Sequence, residues 1–311
     1  MSFFKYGDKS IFYKECGTGE PLVFLHGNTA SSKMFELLTP LYEENFRCIL
    51  IDFLGNGQSD RVEQFSSDVW YDEALQIIAL TEHLQCGKVS LIGTSGGSWA
   101  AINAALERPD LFYKVIADSF DGRTLNSNFS DNLLSERKTA KANLQSRQFY
   151  EWCQGSDWEK IVDLDTEALL NCAKEKRPLF HIPLEKMKVP VLFMGSKEDE
   201  MCRKNLEQEY KEMAAIIPSA TIQMFEHGGH PAIASNAEQA AKSIYNSIFS
   251  VKISIPLENT GVYSVFATSF WPFSLIFSLA RRNEGNFFQA VPTTLSSSLA
   301  EVRLASLVAW A

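Results

Sequence analysis

The sequence predicts an α/β fold in which helices cover both faces of a mostly parallel sheet. Short apolar runs alternate with longer segments of helical periodicity over residues 1–120, and the alternation resumes over residues 187–250. Parallel strands need long crossover connections, which helices usually supply, so this alternation favours a parallel sheet. Between the two stretches, residues 121–186 carry charged amphipathic patterns without a convincing strand run. We therefore predict one α/β core with a helical insertion placed like a lid.

The individual elements follow from the same periodicities. Strands are predicted at residues 11–14, 22–26, 46–53, 88–93, 114–118, 189–195 and 220–226. Helices are predicted at residues 34–43, 72–84, 96–106, 203–217 and 236–249.

Composition limits the classes of function. The chain has 311 residues, of which 45% are hydrophobic and 22% charged, as is typical of globular proteins rather than collagen-like, coiled-coil or disordered chains. The formal net charge is -9, whereas nucleic-acid binders more often carry a basic excess. We expect a small-molecule substrate and no nucleic-acid partner. Nothing in the sequence indicates an oligomeric state.

Cysteine usage and the N-terminus point to a reducing compartment. The six cysteines include no Cys-x-x-Cys pair and are scattered among core-like segments. The first fifteen residues carry Lys5, Asp8 and Lys9 and no continuous apolar run, unlike a signal peptide. We expect a cytoplasmic location.

Residues 251–311 form an atypical, charge-poor C-terminal tail with four basic and three acidic side chains. Within it, residues 260–280 carry no charge and reach the roughly 20 residues that a membrane span needs. Pro272 and several serines and threonines interrupt this run, so membrane contact through 260–280 is the less favoured interpretation. An appendage packed on the core and a segment foreign to the domain are the alternatives.

Residues 93–97 read Gly-Thr-Ser-Gly-Gly and match the nucleophile pattern Gly-x-Ser-x-Gly. They lie between an apolar strand run and a helix rich in small residues, which is the context that the pattern requires. Gly93 and Gly97 leave room where the strand and the helix approach each other. The following helix directs its free N–H groups, beginning near Gly96, at any oxyanion formed beside Ser95. The pattern predicts Ser95 as a nucleophile.

A second loop, Leu-His-Gly-Asn at residues 25–28, follows directly after a predicted strand. A loop at this point can bring the backbone N–H of Asn28 beside that of Gly96, and two convergent donors make an oxyanion hole. We interpret His26 as a structural histidine, because a better base lies downstream of Ser95.

That base is expected in residues 226–231, Glu-His-Gly-Gly-His-Pro, after the last predicted strand. Glycines there allow an imidazole to reach over the edge of the sheet. His230 is preferred because Gly-Gly-His-Pro presents it on the tighter loop, and His227 is its rival.

The acid that orients this base is expected after the preceding strand, in residues 194–201, which offer three carboxylates. The chemistry needs one buried carboxylate that accepts the imidazole Nδ1–H and thereby fixes the tautomer. Asp199 is the first choice and Glu198 the second. Asp118 or Asp121, after an earlier strand, is the third.

Taken in order, these features resemble the α/β-hydrolase fold superfamily. The resemblance rests on His26-Gly27, on Asp52-x-x-Gly55-x-Gly57-x-Ser59, on the elbow at Ser95, on the acid loop after Gly195 and on Gly229-His230-Pro231. It covers residues 1–250 and implies a mostly parallel, eight-stranded sheet with helices on both faces. The core would comprise residues 1–120 and 187–250, with a helical cap at 121–186. The family usually places its acid three residues after the glycine, at Glu198, whereas Asp, the commoner acid, stands at 199.

The resemblance implies acyl transfer by a Ser-His-Asp triad. Relatives resembling haloalkane dehalogenases or epoxide hydrolases carry Asp at the elbow, so Ser95 disfavours those activities. We expect hydrolysis of a small carboxylic ester, or of a thioester, lactone or amide, with no metal or organic cofactor. Two alternatives are the same triad used for C–C bond hydrolysis, elimination or synthase chemistry, and a non-catalytic binding module on this fold.

Four aromatic residues of the predicted cap leave its role in substrate binding open. Phe149, Tyr150, Trp152 and Trp158 either line an apolar pocket or form the core of the cap itself.

Overall fold

The computed structural model describes residues 2–249, 251–255 and 263–267 of the protein. The strands of its main sheet are β1 (Ser2–Tyr6), β2 (Lys9–Cys16), β3 (Glu20–Leu25), β4 (Phe46–Ile51), β5 (Val89–Thr94), β6 (Phe112–Asp118), β7 (Val191–Ser196) and β8 (Thr221–Phe225). The helices are α1 (Val69–Leu84), α2 (Gly96–Glu107), α3 (Phe129–Ala142), α4 (Leu144–Gln154), α5 (Trp158–Glu175), α6 (Leu206–Ile216), α7 (Ala232–Ser235) and α8 (Ala237–Phe249).

The main sheet has eight strands in the order β1-β2-β4-β3-β5-β6-β7-β8. β1 pairs antiparallel with β2, and β2 pairs antiparallel with β4. Every neighbouring pair from β4 to β8 is parallel. The predicted mostly parallel α/β sheet is confirmed. Because the carboxyl ends of the parallel strands lie at one edge, the loops after β3, β5, β7 and β8 meet there.

Alternate residues of the central strands pack into two hydrophobic cores, one on each face of the sheet. Val23 and Leu25 of β3 join the core that α1, α2 and α6 cover. Leu22 and Phe24 join the opposite core, which includes Ile244 of α8. Burying one such side chain stabilises the fold by about 1.5–3 kcal/mol, so both faces hold the sheet that carries the loops.

Helices α3, α4 and α5 lie between β6 and β7, within the predicted insertion. They enclose a small core of their own, in which Tyr150 and Trp158 stack with ring centroids 5.6 Å apart beside Val162. Phe149 packs against this core, whereas Trp152 is 40% exposed. Of the two interpretations of these aromatic residues, packing within the insertion describes Tyr150 and Trp158.

The predicted helix at residues 34–43 was wrong. The structure has two short 3-10 turns there, Ser32–Phe35 and Thr39–Leu41. Pro40 lacks the N–H that an α-helix would direct at the Glu36 carbonyl, and the Thr39 hydroxyl donates to that carbonyl instead, at 3.2 Å. Phe35, Leu38 and Tyr42 are buried, which explains why the spacing looked helical.

Little of the predicted tail falls within the described residues. Strands β9 (Val251–Ile255) and β10 (Tyr263–Ala267) pair antiparallel in a separate two-stranded sheet. The rest of 251–311, including most of the candidate membrane segment 260–280, lies outside the residues that the structure describes. No helix among the described residues is long and apolar enough to cross a membrane.

Candidate active site

Ser95 sits on a sharp turn between β5 and α2. Its backbone has φ +54° and ψ −123°, a conformation that side-chain-bearing residues rarely adopt and that is typical of strained functional positions. Between Val89 and Ala100 it is the single residue that is only partly buried, and the others are buried. The turn therefore presents one hydroxyl at the carboxyl edge of an otherwise closed region.

The glycines around Ser95 are required by close packing. A Cβ atom on Gly93 would collide with the backbone of Gly97, and one on Gly97 would collide with the carbonyl of Leu25. The strand, the turn and the helix can approach this closely only because both positions lack a side chain. The Gly-x-Ser-x-Gly spacing thus has a steric explanation in this chain.

The loop after β3 lies directly beside Ser95. A Cβ atom on Gly27 would lie 2.9 Å from Cβ of Ser95, and one on Gly96 would overlap the Asn28 side chain. Within residues 2–249, neither the Asn28 N–H nor the Gly96 N–H donates a backbone hydrogen bond outside the regular helices and strands. The loop that carries Asn28 therefore lies against the turn that carries Gly96, as the predicted oxyanion hole requires.

His230 lies in the loop after β8, and its ring is held by Asp199 from the loop after β7. Nδ1 of His230 is 3.1 Å and 3.0 Å from the two carboxylate oxygens of Asp199. A carboxylate only accepts hydrogen bonds, so Nδ1 carries the proton and Nε2 is left with a free lone pair. The Asp199 side chain is 1% exposed and that of His230 16% exposed, so water barely screens the pair.

The charges of this pair shift both pKa values in the direction that ion pairing favours. Burial opposes the charged form of His230, but the hydrogen bond and charge of Asp199 outweigh it and raise the pKa of His230. Burial likewise opposes ionisation of Asp199, yet His230, the backbone N–H of Met201 and the Ser119 side chain hold the pKa of Asp199 below its usual value. Asp199 therefore stays ionised and steadies an imidazolium at position 230.

Asp118 and Ser119 connect the serine turn to the histidine loop. The backbone N–H of Ser95 donates to the Asp118 carbonyl at 2.8 Å. On the other side, the N–H of Ile233 donates to the Asp118 carboxylate at 3.2 Å, and that of Ala232 donates to the Ser119 hydroxyl at 2.8 Å. These bonds hold both loops on one edge of the sheet. Within residues 2–249 no hydrogen bond joins Ser95 Oγ to His230, a contact that often tightens only when substrate binds.

The rival residues have other partners. His227 is 84% exposed and pairs with Glu198, which is 59% exposed, at 3.0 Å. Asp121 accepts a hydrogen bond from the Arg203 N–H at 2.7 Å. Asp118 is fully buried, and burial raises its pKa to about 7. None of the three carboxylates is hydrogen-bonded to the ring of His230 within the described part of the chain.

His26 has the environment of a structural histidine. Its Nε2 accepts the N–H of Phe53 at 3.0 Å, so Nδ1 carries the proton and donates to the Gly27 carbonyl at 2.8 Å. Burial lowers its pKa, which keeps the ring neutral. The ring therefore joins the loop beside Ser95 to the chain that follows β4.

Sequence reasoning missed two residues that hold the Asn28 side chain. Asp165 of α5 accepts a hydrogen bond from Asn28 Nδ2 at 2.7 Å, and Trp70 of α1 donates to Asn28 Oδ1 at 3.1 Å. Asp165 is itself paired with buried Arg137 at 2.9 Å. A signal was present, because Asp165 stands on the apolar face of α5, four residues after Ile161 and three before Ala168.

The chain is similar to known proteins over part of its length. A model of the alpha/beta hydrolase family matches residues 22–242. The 2-(acetamidomethylene)succinate hydrolase of Mesorhizobium japonicum is 32% identical over 115 residues, which are 37% of this chain and 40% of that protein. Haloalkane dehalogenase 2 of Mycobacterium tuberculosis is 31% identical over 107 residues, 34% of this chain and 37% of that one.

Solved structures extend the match over most of the chain. An esterase from Exiguobacterium antarcticum superposes with a TM-score of 0.62 at 20% identity, covering 79% of this chain and 98% of that one. That likeness concerns the fold, whereas the family model spans well over half of the sequence, including Ser95, Asp199 and His230. The chain thus belongs to the alpha/beta hydrolase family.

Proposed function

We propose that the protein is a serine hydrolase that cleaves a small carboxylic ester through Ser95, His230 and Asp199. The observation that carries the proposal is the buried Asp199–His230 pair on the same sheet edge as the strained turn at Ser95. A serine nucleophile, a base and an acid that fixes the base are the parts that acyl transfer needs.

The steps follow from the positions of these groups. Asp199 holds Nδ1–H of His230, so Nε2 accepts the proton of the Ser95 hydroxyl while Oγ attacks the ester carbonyl. The backbone N–H groups of Asn28 and Gly96 donate to the resulting oxyanion. His230 then returns the proton to the leaving alcohol. Water, deprotonated by His230, finally hydrolyses the acyl-enzyme and frees Ser95.

Contacts of the insertion favour a small substrate. The 2.7 Å hydrogen bond from Asn28 to Asp165 holds α5 directly on the loop beside Ser95, and we infer that this contact restricts the size of a substrate at the elbow. Tyr150 and Trp158 are packed in the core of the insertion. Arg137 on this side is paired with Asp165 and Glu136, so it offers no free cation for an anionic substrate.

Ester hydrolysis is tested with p-nitrophenyl acetate and a series of longer acyl chains. We expect activity that falls as the chain lengthens, and a loss of about 10³-fold or more in kcat/KM for Ser95→Ala. Ser219→Ala is the matched control, since Ser219 is exposed and lies before β8, at the opposite edge of the sheet. Retention of most activity by Ser95→Ala would overturn the assignment.

A fluorophosphonate probe separates ester hydrolysis from the alternatives. Labelling of Ser95, located by mass spectrometry, together with turnover of simple esters supports the proposal. If the probe labels Ser95 but simple esters and amides are not hydrolysed, the result would instead indicate C–C bond hydrolysis, elimination or synthase chemistry on the same residues. Absence of labelling would favour a binding module.

A further inference from the structure

Three side chains of residue types that bind metal ions, one of them His230, lie close together beside the acid loop after β7. One ligand atom from each of Asp199, Cys202 and His230 lies within 4.8 Å of the other two. The Asp199 carboxylate is the centre of the group, because His230 Nδ1–H donates to it at 3.0 Å and the backbone N–H of Cys202 donates to it at 3.1 Å. Two neighbours therefore direct protons at one buried carboxylate.

The acid loop holds Asp199 and Cys202 on the same side. Backbone N–H groups of Met201 and Cys202 donate to Asp199 Oδ1 at 3.0 Å and 3.1 Å. This local turn follows β7 directly, while His230 comes from the loop after β8, the next strand of the sheet. The three ligands thus come from two loops that the sheet fixes relative to each other.

The ligand set fits a thiophilic divalent cation. Zinc binds thiolate, imidazole and carboxylate groups, with Zn–N and Zn–O distances of about 2.0–2.2 Å. In tetrahedral coordination, such nitrogen and oxygen ligands lie roughly 3.3 Å apart. The observed 3.0–3.1 Å between His230 Nδ1 and the Asp199 oxygens needs only a few tenths of an ångström of opening. The thiolate makes the site softer than one for magnesium or calcium.

We propose that Asp199, Cys202 and His230 bind a thiophilic divalent cation such as Zn²⁺ or Cd²⁺, and that this cation inhibits the enzyme. The inhibition rests on the proposed function, whereas the binding does not. On binding, the thiol proton leaves to solvent, and bonds form from the cation to Cys202 Sγ, His230 Nδ1 and an Asp199 oxygen. The single proton of the neutral ring then resides on Nε2, so His230 has no lone pair with which to accept the Ser95 proton.

Binding is measured on the full-length protein, by competition with a chromophoric zinc chelator and by thiolate-to-cadmium absorbance. We expect one cation per chain, and an affinity at least tenfold weaker for Cys202→Ser. Cys86→Ser is the matched control, since Cys86 is also a half-buried free thiol but precedes β5 at the opposite edge of the sheet. Equal affinity of the wild type and Cys202→Ser, or an equal loss in Cys86→Ser, would overturn the site.

Ester hydrolysis under Zn²⁺ gives the second readout, with each variant compared with its own metal-free rate. We expect the wild type and Cys86→Ser to lose their activity reversibly on addition and removal of the metal, and Cys202→Ser to keep it at the same concentration. Cys202→Ala replaces Cys202→Ser if thermal melting shows that the serine variant is unfolded. Cation binding that depends on Cys202 in a chain without esterase activity would keep the metal site and reject the proposed function. Esterase activity without such binding would support the proposed function and reject the metal site.

Discussion

Two histidine–carboxylate pairs stand side by side at the edge of the sheet, and they differ in burial rather than in length. His227–Glu198 and His230–Asp199 both have a nitrogen–oxygen distance of 3.0 Å. The first pair is 84% and 59% exposed, and the second is 16% and 1% exposed. Both histidines also have a raised pKa. Distance and the direction of the pKa shift therefore do not distinguish a structural ion pair from a catalytic one.

Burial changes what an ion pair can do. Water screens the exposed pair, and long exposed side chains leave such contacts readily, so the partner of His227 fixes little. The buried pair is held from several sides, since Asp199 also accepts two backbone N–H groups. A base held in one orientation and one tautomer is what proton transfer from Ser95 requires. The comparison therefore assigns His230 and Asp199 to the proposed reaction.

The largest expected difference is between the two histidines. His230→Gln should lower kcat/KM for p-nitrophenyl acetate by about 10⁴–10⁶-fold, because it removes the base that takes the Ser95 proton in the proposed reaction. His227→Gln should change it by less than about twofold. Steady-state kinetics on both variants, with melting curves to show that both are folded, check this. A larger loss in His227→Gln than in His230→Gln would show that the exposed pair supplies the base.

The two carboxylate variants should differ in kcat/KM by a smaller factor than the two histidine variants. Asp199→Asn should lower kcat/KM by about 10⁴-fold, because the amide can donate to Nδ1 and so favour the tautomer with its proton on Nε2. Glu198→Gln should cost less than about twofold, since it removes an exposed partner of His227. Comparable losses in the two variants would mean that burial does not decide which carboxylate orients the base.

Most of the fold could be predicted from the sequence, because the buried parallel strands are short apolar runs bounded by turn residues. Each of the seven predicted strands overlaps an observed strand of the sheet. β1 was missed because it is an edge strand in which Phe4 is the only fully buried residue, so it lacks a buried-strand run. The helix predicted at 34–43 was wrong although its apolar spacing was helical, because Pro40 has no backbone N–H to donate within an α-helix.

The loops that carry the candidate site could be predicted from the sequence, whereas the contacts between individual residues of these loops could not. Motifs predicted Ser95 as the nucleophile, preferred His230 to His227 as the base and preferred Asp199 to Glu198 as the acid, but they did not show which histidine contacts which carboxylate. The structure adds the tertiary contacts, in which Asp199 accepts from His230 and Glu198 accepts from His227. The Ser196 hydroxyl donates to the Gly228 carbonyl and so joins the two loops. Asp165 was missed because its partner Asn28 is 137 residues away in sequence.

The pH profile gives the finest test of the comparison. Since the pKa of His230 is raised above the ordinary value of about 6.5, its ring stays protonated, and unable to act as a base, to a higher pH. We expect kcat/KM to fall about tenfold per pH unit below that pKa and to level off above it. In Asp199→Asn the charge that raises the pKa is gone while burial still lowers it, so the acidic limb should move to lower pH.

Other charged groups around the ring define the controls for this shift. Asp118 and Glu200 also raise the pKa of His230, and the pKa of Asp118 itself is about 7. The acidic limb of the pH profile therefore reflects the coupled titration of these groups rather than that of His230 alone. Asp118→Asn should move the limb in the same direction as Asp199→Asn but by less, because its charge acts on His230 without a hydrogen bond to the ring. Glu198→Gln should leave the limb in place, since Glu198 raises the pKa of His227 instead. Movement of the limb in Glu198→Gln would show that the exposed pair is electrostatically part of the site, and the distinction drawn from burial would fail.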